Sequence, residues 1–301
     1  TGNPSPDWNG DSRKGDNLFT NSVLALDPAT GDMKWYFQFT PHDVWDYDST
    51  NGIVLTDLEI KGEKKRVLLQ PNRNGYVYVL DAADGQYIHA FQYTDRLNWS
   101  KGLDENGRPI VDPDYLPVEG GSERFSCPGP IGGHNGAWSY SFNPVKKLMF
   151  VPSIESCSKM IKEEANYKAG DPFWGGGQLE NEQETGKAYG LLLGIDPANK
   201  EIRWKYKDKY PLVAGALATA GDVVFTGNQE GFALAFDSSS GDMLWKFQMG
   251  SSVRGQPITW EDSGTQYVAI PSGGGGLAVE MVGEPPLVTR GGALTVFAIP
   301  R

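Results

Sequence analysis

With 301 residues the chain is long enough to bury a sizeable core, as one large domain or two small ones. A formal net charge of −11 argues against nucleic acid as a partner, and the absence of an apolar run of about 18 residues argues against a membrane-spanning helix. The 38 glycines, 20 prolines and 12% aromatic content point to many short strands and turns, an all-β chain.

Taken in order, the first repeated element is Val23 to Trp35, read as strand, turn, strand. Alternating apolar residues enter a turn built on Asp27 and Gly31, and the chain leaves it toward a tryptophan. Val77 to Phe91 repeats the pattern around Asp81 and Gly85, with Ala90 read at the tryptophan position. Leu193 to Tyr206 repeats it with Asp196 and Trp204, and Ala233 to Phe247 with Asp237, Gly241 and Trp245. The last two copies lie 41 residues apart, the length of one four-stranded propeller blade. Trp35, Trp204 and Trp245 are therefore read as rings that dock between blades.

Further strands are predicted at Gly52 to Leu58, Arg66 to Gln70, Ala137 to Asn143, Lys147 to Pro152, Leu217 to Thr226, Gln256 to Trp260, Gln266 to Pro271 and Leu294 to Pro300. Two polar, turn-rich insertions interrupt the rhythm, Tyr93 to Phe125 and Glu155 to Tyr189. Long loops of this kind commonly shape the mouth of a site. No helix longer than about three turns is expected.

Between the first two copies runs Thr40-Pro41-His42-Asp43-Val44-Trp45-Asp46-Tyr47-Asp48, three carboxylates within six residues. Taken as extended, it points Asp46 and Asp48 to one side and Trp45 and Tyr47 to a buried opposite side. Two carboxylates that close repel unless a cation or a proton lies between them, so the pattern reads as a hard-cation site.

Thr40 to Asp46 resembles the active-site segment of the quinoprotein alcohol dehydrogenases, which use pyrroloquinoline quinone. Thr1-Gly2-Asn3-Pro4-Ser5-Pro6 resembles the metal-ligand segment that precedes it in that family. The resemblance covers the whole chain, residues 1–301, read as one domain. It implies the C-terminal portion, about four to five blades, of an eight-bladed β-propeller with tryptophan-docking repeats. The chain begins at Thr1 in mid-motif and is read as a fragment or a processed piece.

Residue by residue, the resemblance makes Asn3, Asp46 and Asp48 metal ligands and Asp46 also the catalytic base. Oxygen-only ligation selects a hard ion. Members with a second Asp at the place of Asp48 use a lanthanide, with calcium as the alternative, because a trivalent ion gains more from the added carboxylate. Arg73, in Pro71-Asn72-Arg73-Asn74-Gly75, matches the arginine at the quinone oxygens, and Asn135, in Gly132-Gly133-His134-Asn135, matches an asparagine that contacts the cofactor. His134 is read as structural, and His42 and His89 have no metal-ligand spacing. Cys127 and Cys157 match a family disulfide, which would contribute roughly 3–4 kcal/mol and place the protein in the periplasm.

The function implied is oxidation of a primary alcohol to an aldehyde by hydride transfer to the metal-bound quinone, with electrons passed to a cytochrome c-type acceptor. Two departures weaken cofactor contacts: Val213-Ala214-Gly215 stands where many members have Trp-Gly-Gly, and Leu277 replaces a tryptophan after Ser272 to Gly276. The family's remaining metal-ligand Glu, its adjacent-cysteine disulfide and its stacking tryptophan belong to the N-terminal half, so the chain alone is expected to be inactive, and a separate N-terminal chain is a possible partner. The rival readings are a non-catalytic propeller scaffold or binding module, and an inactive half-domain.

Overall fold

The computed structural model describes residues 1–136, 138–274 and 291–298. Every extended element among them belongs to an antiparallel sheet or hairpin, and the only helical element described is a single 3-10 turn at Pro113–Tyr115. The chain divides into two compact units, Thr1–Gly136 with Glu155–Thr185, and Ala137–Ile154 with Gly186–Arg301.

The first unit holds a two-stranded sheet, Ser22–Leu26 with Met33–Gln38, and a four-stranded meander of Val54–Ile60, Glu63–Pro71, Tyr76–Asp81 and Tyr87–Gln92. Tyr76 to Leu80 is buried on both faces, as expected of a strand in the middle of a sheet with something packed on each side. Both insertions fold as hairpins: Ser100–Leu103 with Pro109–Val111, and Ser158–Lys162 with Gly176–Asn181. The core of this unit is aromatic, built from Phe39, Trp45, Tyr47, Tyr76, Tyr78 and Trp99.

The second unit holds two four-stranded meanders. One has the spatial order Glu201–Asp208, Tyr189–Asp196, Leu148–Glu155, Ser141–Asn143. The other runs Leu217–Ala218, Val223–Gly227, Phe232–Asp237, Met243–Gln248. A three-stranded sheet follows, Ile258–Asp262, Thr265–Gly273 and Gly292–Ala298. Three four-stranded meanders with one three-stranded and one two-stranded sheet of the same kind give the four to five blades' worth of a propeller that the repeats imply. The predicted strand from Ala137 shortens to Ser141–Asn143, and Ala137, Gly275 to Leu277, Ile299 and Pro300 lie outside the described residues.

The four repeats share more than composition. In three of them the turn aspartate's carbonyl accepts the glycine N–H four residues on: Gly31 to Asp27 at 2.8 Å, Gly85 to Asp81 at 2.9 Å, Gly241 to Asp237 at 2.9 Å. Its carboxylate accepts the N–H two residues on, from Ala29, Ala83 and Ser239. In the fourth, Asp196 accepts from Asn199, and Lys200 takes the glycine's place at φ +59°. Each repeat carries a register slip at the same point, just after the pairs Ala25 with Trp35, Gly194 with Trp204, and Ala235 with Trp245. The matching pair in the second copy is Val79 with His89. The tryptophan position is therefore held by His89, not by Ala90; the bulge adds one residue, which counting along the sequence had misplaced.

Trp35 and Trp204 dock as expected, and Trp245 packs edge-on against Phe297 of the following sheet at 4.9 Å. A Cβ on Gly85 would strike the Trp35 ring, and one on Gly241 would lie 2.6 Å from Trp204 Cδ2, so each ring lies flat on the glycine of the next repeat's turn. Trp204 also donates from Nε1 to Ser238 O at 3.0 Å.

Candidate active site

All the sequence-predicted site residues lie in the first unit. The segment from Thr40 to Asp48 is not extended. His42 and Asp46 sit at φ +50° and +61°, in the left-handed region that aspartate tolerates better than most residues. What shapes the turn is Asp43, fully buried, whose carboxylate accepts Trp45 N at 2.8 Å, Tyr47 N at 2.7 Å and Asn21 Nδ2 at 2.8 Å. Sequence reasoning counted this third carboxylate without giving it a role. Its signal was local: an Asp whose acceptor oxygens can cap N–H groups two residues on is the usual author of a non-extended turn. The aromatic half of the expectation holds. Trp45 and Tyr47 are buried, stacked on each other at 5.8 Å, and both pack against Trp99.

The acids still converge. Arg73, 3% exposed, places Nη1 3.6 Å from Asp46 Oδ1 and 3.4 Å from Asp48 Oδ2. Asp48 Oδ1 accepts the backbone N–H of Asn3 at 2.9 Å, which draws the N-terminal segment onto the pair. Gly2 is required for that approach, because a Cβ there would lie 2.5 Å from Asp48 Oδ1. Asn3, Asp46, Asp48 and Arg73 thus form one cluster from three stretches of chain.

Asn135 is half-buried and follows Gly133, at φ +70°, where a Cβ would lie 2.6 Å from Arg73 O. Its loop therefore packs directly on the Arg73 backbone. His134 is fully buried, its N–H donating to Tyr93 Oη at 2.5 Å and its carbonyl accepting from Asn51 Nδ2 at 2.8 Å, in keeping with a structural role. His42 sits with Nδ1 2.8 Å from Gly15 O. The predicted bridge between Cys127 and Cys157 is present. Both insertions bond to site-bearing segments: Trp45 Nε1 donates to Tyr115 O at 3.0 Å, and Trp8 N donates to Trp174 O at 2.9 Å.

Burial pushes the Asp46 carboxyl up to about 7; Arg73 opposes the rise, and Asp48, Asp43 and Asp7 add to it. A carboxyl poised there can take a proton near neutral pH. Asn3 Nδ2 and Arg73 Nε are buried with no hydrogen-bond partner among the described residues. Orphaned polar atoms beside two carboxylates mark hydrogen-bonding capacity directed at a group other than protein. Two carboxylates and an amide are oxygen donors, which fit a hard cation. They are a partial set: among the described residues no three His, Cys, Asp or Glu side chains group together as a metal site.

Blades with docked tryptophans, and an acid pair bridged by a buried arginine, are the arrangement expected of a quinoprotein-type β-propeller. The family model described as "PQQ: Glucose/ethanol/alcohol dehydrogenase, beta-propeller domain" matches residues 1–95 and 159–268, and the chain belongs to that family. It is 40% identical over 314 residues to quinoprotein alcohol dehydrogenase PedH of Pseudomonas putida, with 100% of this chain and 52% of that protein covered. It is 36% identical to methanol dehydrogenase (cytochrome c) subunit 1 of Methylorubrum extorquens, covering 92% of this chain and 45% of that protein. Among solved structures it superposes on a europium-containing methanol dehydrogenase with a TM-score of 0.89 at 33% identity, covering 99% of this chain and 56% of the other. The chain spans about half the length of these relatives.

Proposed function

We propose that residues 1–301 are one partial propeller domain contributing the acid-and-arginine side of an alcohol dehydrogenase centre. Asn3, Asp46 and Asp48 would hold a metal ion, and Arg73 and Asn135 would face pyrroloquinoline quinone. When bound, the metal and quinone together supply a Lewis acid and a two-electron acceptor. Asp46 receives the hydroxyl proton of a primary alcohol, a task suited to a buried carboxylate held in place beside Arg73. Arg73 beside it fixes the orientation of both carboxylates and stabilises negative charge that develops next to them. Asp48 adds the formal charge that favours a trivalent lanthanide over calcium. The europium in the structural neighbour and the cytochrome c in the name of one relative support a lanthanide and a cytochrome-type acceptor here. The disulfide supports an oxidising compartment such as the periplasm.

The observation that carries this reading is the Asp46–Arg73–Asp48 cluster with Asn3 drawn onto it. Asp46→Asn in the complete, cofactor-loaded enzyme removes the base and keeps its shape. Turnover with an artificial electron acceptor should fall by about 10²–10⁴-fold. Undiminished turnover would reject Asp46 as the base.

A further inference from the structure

The two arms of the site, Asp46 to Asp48 and Arg73, come from separate loops, yet both rest on the same third loop. Tyr47, between the two aspartates, is wholly buried and donates its phenol proton to Pro128 O at 2.6 Å. Tyr93 donates its phenol proton to Asn72 O, beside Arg73, at 2.8 Å, and accepts the His134 N–H. Pro128 and His134 bound one continuous loop. That loop also presses on the arginine arm directly, since a Cβ on Gly133 would lie 2.6 Å from Arg73 O and one on Gly75 would lie 3.3 Å from Pro128 Cγ.

The loop is itself pinned at its start. Cys127 is bonded to Cys157. Ser126 and Ser158 exchange backbone hydrogen bonds at 2.9 and 3.0 Å, and Gly129 N donates to Ser156 O at 2.7 Å. Cys127 N further donates to Asn98 Oδ1 at 2.7 Å. A covalent link flanked by backbone bonds on both sides fixes the start of this loop.

From this the geometry points to Tyr47 and Tyr93 as positioning residues: two phenols that hang the acid pair and the arginine from one disulfide-pinned loop and so set the spacing between them. The inference rests on the proposed catalytic centre only for its functional meaning; the brace is a property of the fold. Side chains whose orientation is fixed by buried partners hold a reacting geometry that packing alone leaves loose. The Tyr47 phenol makes one buried hydrogen bond here and the Tyr93 phenol two, to Asn72 O and from His134 N–H, and neither bonds the carboxylates' own oxygens, so their loss should act on geometry and leave the site's charge unchanged.

The test compares Tyr47→Phe and Tyr93→Phe with Tyr76→Phe in the full-length protein. Tyr76 is also buried, and although its backbone bonds Asn72, its hydroxyl is shared with Ser100 Oγ and not with the loop from Pro128 to His134, which makes Tyr76→Phe a control for losing a buried phenol outside the brace. Hydrogen exchange, read by mass spectrometry without metal, should show a crossed effect. Tyr47→Phe should speed exchange in residues 71–75, and Tyr93→Phe should speed it in residues 43–48; Tyr76→Phe should do neither. Binding of Tb³⁺, followed by emission sensitised through the neighbouring indoles, should weaken roughly five- to tenfold in Tyr47→Phe, the share of one buried hydrogen bond, and at least as much in Tyr93→Phe, which breaks two. Exchange that quickens only around the substituted residue, with Tb³⁺ affinity unchanged, would reduce both tyrosines to core residues and overturn the inference. If the unaltered protein binds no Tb³⁺, the proposed ligand set fails, and the crossed exchange decides the brace by itself.

Discussion

Glu155 ends the strand Leu148–Glu155, two residues before the bridged Cys157, and is only 2% exposed. Burial pushes its carboxyl up to about 7; N–H groups of Asp95 and Arg96 and the charge of Arg96 oppose the rise, and the charge of Asp95 adds to it. An unfolded glutamate ionises near 4.5. Between those two values the native protein holds a proton that the unfolded chain has released, so stability falls as pH rises through this window. Below it both states are protonated and nothing is lost; above it both are ionised and the full penalty is present. At 1.36 kcal/mol for each pH unit, the window corresponds to about 3 kcal/mol. Glu155→Gln keeps the shape and an amide oxygen that can accept the N–H groups, and cannot ionise. Urea unfolding of the variant and the unaltered protein across this range should give equal stabilities near pH 4 and a variant more stable by up to about 3 kcal/mol at pH 8. Taking the difference removes other titrating groups, Asp46 included. A difference that stays flat with pH, or a variant less stable at pH 8, would show that the ionised Glu155 is stabilised by its surroundings and refute the reasoning.

Asp48→Ala removes one of the two charges beside Arg73, so in the metal-stripped and reloaded enzyme the preference for La³⁺ over Ca²⁺ should shift toward Ca²⁺; unchanged relative turnover with the two ions would make Asp48 an ordinary acidic neighbour. Gly31→Ala and Gly241→Ala change the same turn position in two repeats, at φ +79° and +76°. The first meets nothing within 4 Å and should cost about 1 kcal/mol of backbone strain, while the second also displaces the Trp204 ring and should cost about 2 kcal/mol more, read as thermal melting.

The repeats could be read directly because an aspartate, a glycine and a ring recur at constant spacing, and each carries a local job in the turn. The bulge could not, since an unpaired residue leaves no mark on composition, and His89 was therefore miscounted. Asp46, Asp48, Asn3 and Arg73 were found through their resemblance to known segments, but the route by which the acids meet was misjudged. The two-residue alternation assumes an extended backbone, and Asp43 turns it. Tyr47 and Tyr93 looked like core aromatics and are; that their hydroxyls also reach one loop depends on pairings 81 and 41 residues away. The raised affinity of Glu155 for a proton likewise arises from burial that no local pattern records.

The ring-on-glycine contact ties the fate of distant positions together. Trp35 and Gly85 are 50 residues apart in sequence and touch; neither can be exchanged freely while the other stays, because the ring needs a flat floor and the floor has a use only under a ring. The same holds for Trp204 and Gly241, 37 residues apart. An engineer who adds or removes a blade will have to exchange the ring of one repeat and the turn of the next in a single step.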